Sequence, residues 1–223
     1  DRNLHIFDLN KCKHLLDLKL TMSTNVPYFE IHDENHIVLL ARNRLSIILK
    51  KVDLNHELND DNEAPNAEAG AVNVPESKPD EKSDDSMFVF KVGEDRYLNS
   101  LLVSKNGQMM VCGDEVQKPF PLLVWNLKQR KLIHDLRQAK HEFNTGIQSI
   151  SSSGRYVVCA CQEEGESRNC LIVYDLSTGQ QHKKIVYKYN FISVEISEES
   201  GVIVAGVENG QLIVYDLMSG SKR

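Results

Sequence analysis

Apolar residues in this chain fall in short runs separated by polar turns, and several of the runs repeat. Four stretches match closely: LHIFDL (4–9), LLVWNL (122–127), LIVYDL (171–176) and LIVYDL (212–217), with a weaker fifth, LSIILK (45–50). Their anchor residues Phe7, Ile48, Trp125, Tyr174 and Tyr215 are spaced by 41, 77, 49 and 41 positions. The 77 becomes 45 when the 32-residue acidic stretch 55–86 is set aside. A period of this size points to a repeat architecture with several strands in each unit.

A second element recurs ahead of the anchors: an apolar residue, often a Ser, a short turn usually with Gly, then three or four apolar residues. Its copies are VSKNGQMMVCG (103–113), ISSSGRYVVCAC (150–161), ISEESGVIVAG (196–206) and, without the Gly, IHDENHIVLLA (31–41). Glycine supplies a positive φ at the turn and β-branched residues favour pleated strands, so each copy reads as a hairpin. After each anchor comes a polar turn, NKCK (10–13), KQRK (128–131) or STGQ (177–180), and then a further strand such as LLDLKL (15–20) or KLIHDL (131–136). One unit is therefore four antiparallel strands, a to d from inside to outside. No stretch combines a helical period with a cap. The expected fold class is all-β.

The S-x-x-G hairpin followed by an apolar-V-[WY]-[DN]-L strand at a period near 41 resembles the WD repeat, and the likeness covers nearly all of the chain outside 55–86. The resemblance implies a β-propeller, in which four-stranded blades stand radially around a channel. The Gly-His pair that often precedes strand a is absent and the signature Trp occurs once, at Trp125, so blade geometry is expected to rest mainly on apolar packing. Counting strands gives c and d at residues 1–20, a to d three times, then a to c and a stub, an arc of about four to five blades. Family rings close with seven or eight blades. That count, and a start at Asp1 in mid-repeat, imply a partial propeller whose remaining blades belong to a longer parent chain.

Composition agrees with a packed array: 41% hydrophobic and 26% charged residues can bury a sizeable core without staples. The five cysteines are odd in number, and Cys159 and Cys161 stand two apart in an apolar run, which points to core packing in a reducing compartment. The chain has neither an apolar run of membrane-spanning length nor a charged-then-apolar leader. The reading is a cytoplasmic or nuclear protein without membrane insertion. The net charge of −6 is uneven: residues 55–86 hold ten acidic and two basic side chains, and the remainder carries 24 basic against 22 acidic. A nearly neutral remainder without a Lys/Arg stripe argues against a nucleic-acid platform. The short basic run 128–131 reads as a solvated turn.

The acidic segment holds Pro65, Pro75 and Pro79 and little apolar mass, so it is expected to be disordered, either as a tolerated insertion or as a tether with modifiable Ser77, Ser83 and Ser86. It falls between strand c (about 44–49) and strand d (Met87–Lys91), on the face of the c–d turns. The b–c loops point to a partner surface. The separations from turn Gly to anchor are 18 (Gly107 to Trp125), 20 (Gly154 to Tyr174) and 14 (Gly201 to Tyr215), so the first two loops are extended. Their candidate contact residues are Asp114, Glu115, Gln117, Lys118 and Phe120, and Gln162, Glu163, Glu164, Glu166 and Arg168. Loops on rigid scaffolds are where binding residues concentrate.

His32 and His36 have a metal-like spacing and Cys159 and Cys161 share a strand face, but neither pair has a second pair to complete a structural zinc site. They read as a polar turn and, with Cys112, as core residues. Phosphate-cradling, nucleophile-elbow and zinc-protease motifs are all missing. Asp175 and Asp216 recur at one blade position, which assigns them a shared structural task at the strand end. The expected site therefore has no catalytic residues, cofactor or metal. The function that follows is a protein–protein interaction scaffold within a larger intracellular protein. The resemblance also admits the regulatory sensor arm of a NACHT-type or apoptosome-type NTPase, which a P-loop upstream would signal, and a propeller enzyme, which would need convergent His or acidic residues at the channel.

Overall fold

A computed structural model of the chain describes residues 3–19, 29–33, 36–40, 46–51, 87–91, 97–114, 121–137, 141–163 and 169–223. Among these residues there is no helix, so none is long and apolar enough to cross a membrane. The strands are β1 (Asn3–Asp8), β2 (Lys13–Lys19), β3 (Phe29–Asp33), β4 (His36–Leu40), β5 (Ser46–Lys51) and β6 (Met87–Lys91). They continue as β7 (Leu102–Val103), β8 (Met109–Gly113), β9 (Leu122–Asn126), β10 (Lys131–Leu136), β11 (His141–Ile150) and β12 (Tyr156–Glu163). The last are β13 (Asn169–Asp175), β14 (Gln180–Tyr187), β15 (Phe191–Ser197), β16 (Val202–Val207) and β17 (Leu212–Asp216).

Each strand pairs antiparallel with the next in sequence inside its sheet, giving five meanders: β1-β2, β3-β4-β5-β6, β7-β8-β9-β10, β11-β12-β13-β14 and β15-β16-β17. The expected hairpins are β3-β4, β7-β8, β11-β12 and β15-β16, and the repeated anchor runs are β1, β5, β9, β13 and β17. First strands lie beside one another: β7 contacts β3 on one side and β11 on the other, and β11 contacts β15. The sheets thus form a partial propeller arc with strand a innermost. At its far end the chain begins to cover the open side of β17, where Asp216 N–H donates to the Ser221 carbonyl and Arg223 N–H to that of Val214, at 2.8 and 2.9 Å.

Burial on both faces explains why the middle strands read as nearly continuous apolar runs. Successive side chains of a strand point to opposite faces. In β4, Ile37 and Leu39 pack with Leu4 and Ile6 of the first sheet, while Val38 joins Met110, Cys112 and Trp125 of the third. In β12, Val157, Cys159 and Cys161 meet Val111, Leu122 and Val124, whereas Val158 and Ala160 meet Ile203, Ala205 and Ile213. Four apolar layers therefore alternate with five sheets. The anchors all face backwards: Ile48, Trp125, Tyr174 and Tyr215 pack towards the preceding sheet, and Phe7, in the first sheet, is 57% exposed. All five cysteines are free; Cys112, Cys159, Cys161 and Cys170 are buried and Cys12 is exposed. Burial pushes the Cys112 and Cys161 thiols up, which keeps them neutral core groups.

The acidic segment 55–86 lies outside the described residues. Its flanks pair as expected, with Ser46 opposite Lys91 and Lys50 opposite Met87 across β5 and β6.

Candidate functional site

In a four-stranded meander the a–b and c–d turns share one edge and the b–c loops occupy the other. The turn edge is stitched together from sheet to sheet. Ser104, fully buried, accepts the Met109 N–H on Oγ at 3.0 Å, and Ser151 accepts the Tyr156 N–H likewise at 3.0 Å. Both serines therefore close the hairpin whose Gly three residues later has positive φ, 66° at Gly107 and 74° at Gly154. From this fixed turn Asn106 reaches the next sheet: its N–H donates to the Ser152 carbonyl at 3.2 Å and its side-chain amide to that of Ser153 at 2.6 Å. Ser153 Oγ in turn donates to the Glu198 carboxylate of the following sheet. The hydrogen bonds supplement the apolar layers, so blade geometry here has a polar component that the missing Gly-His pair had not suggested.

The c–d turns use the acidic residue after each anchor. Asp175 Oδ1 accepts the Ser177 N–H at 2.9 Å and Asp216 Oδ1 accepts those of Met218 and Ser219 at 3.0 and 2.8 Å. Asp8 and Asn126 repeat this with Asn10, Lys11 and Gln129. Arg223 also bonds Asp216 at 2.7 Å, and together with the turn bonds it holds that carboxyl well below the ordinary aspartate range. At Asp175 burial pulls upward, but the bonds from Ser177 and Arg155 outweigh it and the carboxyl is lowered. These carboxylates serve the turn, the structural task their repetition had suggested.

On the opposite edge the predicted contact residues separate. Asp114 is buried, its N–H donates to the Pro121 carbonyl at 3.1 Å and its Oδ1 accepts the Tyr97 N–H at 2.9 Å. It therefore ties the base of the loop to the segment that leads into β7, where Leu98 bridges to Asp114. Glu115, Gln117, Lys118 and Phe120 lie outside the described residues. Gln162 and Glu163 belong to β12, where Gln162 pairs with Asn169. Much of the extra length between Gly154 and Tyr174 is thus strand, because the Cys161 and Cys170 pair prolongs the buried ladder beyond the span used in the other sheets. Gln162 is exposed at its end, and Glu164, Glu166 and Arg168 lie outside the described residues. The shortest such loop, after β16, is fastened by the Glu208 N–H to the Asn190 carbonyl at 3.0 Å and by Asn190 to the Glu208 carboxylate at 2.6 Å.

His32 and His36 sit at facing strand ends with ring centroids 6.0 Å apart. A different set of donors converges on the β1-β2 hairpin. His5 Nδ1 and His14 Nε2 each lie 2.6 Å from Asp17 Oδ1. Sequence spacing hides this cluster, because residues 14 and 17 of a regular strand face opposite ways. Ile6 pairs with Leu16 but Phe7 with His14, so Leu15 is bulged out and the two side chains share a face.

No family model matches the chain, and no curated protein matches it.

Proposed function

We propose that this chain is a segment of a WD-repeat β-propeller that serves as a protein–protein interaction scaffold and not as an enzyme. The observation that carries the reading is the asymmetry between its two edges. Turn-edge groups are spent on one another, from Ser104 and Asn106 through Ser153 to Glu198, and at Asp175 and Asp216. The opposite edge carries the connection between β8 and β9, whose base Asp114 fastens through its bond from the Tyr97 N–H, and the connection between β12 and β13, mounted on the extended ladder of those two strands. Rigidly mounted loops are the usual bearers of recognition residues. A fold of this type does not by itself dictate chemistry, and recognition is left to the loops.

The reading is tested by affinity capture with the parent protein carrying shortened connections at 113–120, at 162–169, or a deletion of 55–86. A captured partner should be lost on shortening one of the two b–c connections while the protein stays folded. If every partner survives all three changes, the proposed surface is wrong.

A further inference from the structure

We propose that the β1-β2 hairpin is a binding site for a zinc-class divalent cation, held by His5, His14 and Asp17. Among the described residues this is the one group of three His, Cys, Asp or Glu side chains whose donor atoms all lie within 4.8 Å of one another. Its geometry is built by the backbone. His5 and Asp17 are direct cross-strand partners, and the bulge at Leu15 turns His14 onto the same face. Phe7 packs edge-on against the His14 ring with centroids 5.1 Å apart, which fixes that ring from the side.

Two imidazole nitrogens and one carboxylate oxygen make a mixed donor set. That set suits borderline ions such as zinc, whereas calcium and magnesium select oxygen donors. Zinc bonds of about 2.0–2.1 Å at tetrahedral angles place donor atoms about 3.3 Å apart. The two 2.6 Å contacts to Asp17 Oδ1 would then open by less than about 1 Å, within reach of small side-chain rotations. Each ring nitrogen facing Asp17 presents its lone pair to the ion, so in the bound state the proton sits on the other nitrogen of the ring. Three protein donors leave a coordination position open to solvent, and the side chains are 40–49% exposed, so an ion can enter directly.

Calorimetric titration of the whole chain with Zn2+ at about pH 7.5 tests this, with ring-proton NMR to identify the ligands. One ion should bind per chain and the ring signals of His5 and His14 should move together. His14→Gln keeps a donor for Asp17 but cannot ligate as an imidazole; it should weaken binding at least about tenfold while the melting temperature stays the same. His36→Gln should leave binding within about twofold, and Ca2+ should not compete. Binding that is as tight in His14→Gln as in the unaltered chain, ring signals of His5 and His14 that ignore Zn2+, or displacement by Ca2+ would each overturn the proposal.

Discussion

At the scale of single residues, the repeated serine of the S-x-x-G element is a buried backbone acceptor. Ser151 is fully buried and receives the Tyr156 N–H, and Ser104 does the same for Met109. Removing the hydroxyl leaves a buried N–H unsatisfied, which costs about 1–3 kcal/mol. Ser151→Ala should therefore lower unfolding free energy by about that amount in urea titrations, while Ser219→Ala, at an exposed turn, should stay within about 0.5 kcal/mol of the unaltered chain. The serine was visible in the sequence as a pattern, and its role was not, because a hydroxyl next to a turn reads equally well as solvated. Asp114 misleads in the same way. A charged residue after an apolar strand reads as loop, yet burial is offset here by its bond to the Tyr97 N–H.

At the scale of elements, strands were legible because alternation and length leave little choice: β6 and β10 fall on the runs Met87–Lys91 and Lys131–Leu136 that the pattern marks out. Departures from regular pairing were not legible. The bulge in β2 is set by its partner's register, and the lengthening of β12 and β13 depends on Cys161 meeting Cys170 across the ladder. The c–d turns give a pH dependence at this scale. Asp175 and Asp216 are both lowered from the ordinary value of 3.8, so each contributes stability that is present above that value and lost as the pH falls through the folded-state value. Stability measured by denaturant at about pH 6, 4 and 2.5 should change little over the first interval and fall over the second. Asp216→Asn retains an oxygen for the Met218 and Ser219 N–H groups but does not titrate, so its loss over the second interval should be smaller.

At the scale of the molecule, the five sheets hold one another through alternating apolar layers and through turns that lean on the preceding sheet. A Cβ added at Gly107 would lie 2.8 Å from His32, at Gly154 2.7 Å from Met109, and at Gly179 2.6 Å from His134, each in the sheet before. His134 also bonds the Leu176 carbonyl at 2.9 Å, a second fastening between the same two sheets. The repeat period made the number and order of sheets legible, but a sequence period carries no information on which turn rests on which neighbour. The loop edge proposed for binding is only as rigid as this stacking. The most direct test compares alanine at two glycines with similar positive φ, Gly154 at 74° and Gly210 at 82°. Gly210 has nothing within 4 Å of an added Cβ, so Gly210→Ala should cost only the backbone strain, about 1 kcal/mol. Gly154→Ala should cost at least about 1 kcal/mol more, by overpacking against Met109, and Met109→Ala should relieve part of that excess when combined with it. Equal losses for the two glycines, with no coupling between Gly154 and Met109, would contradict the stacked arc.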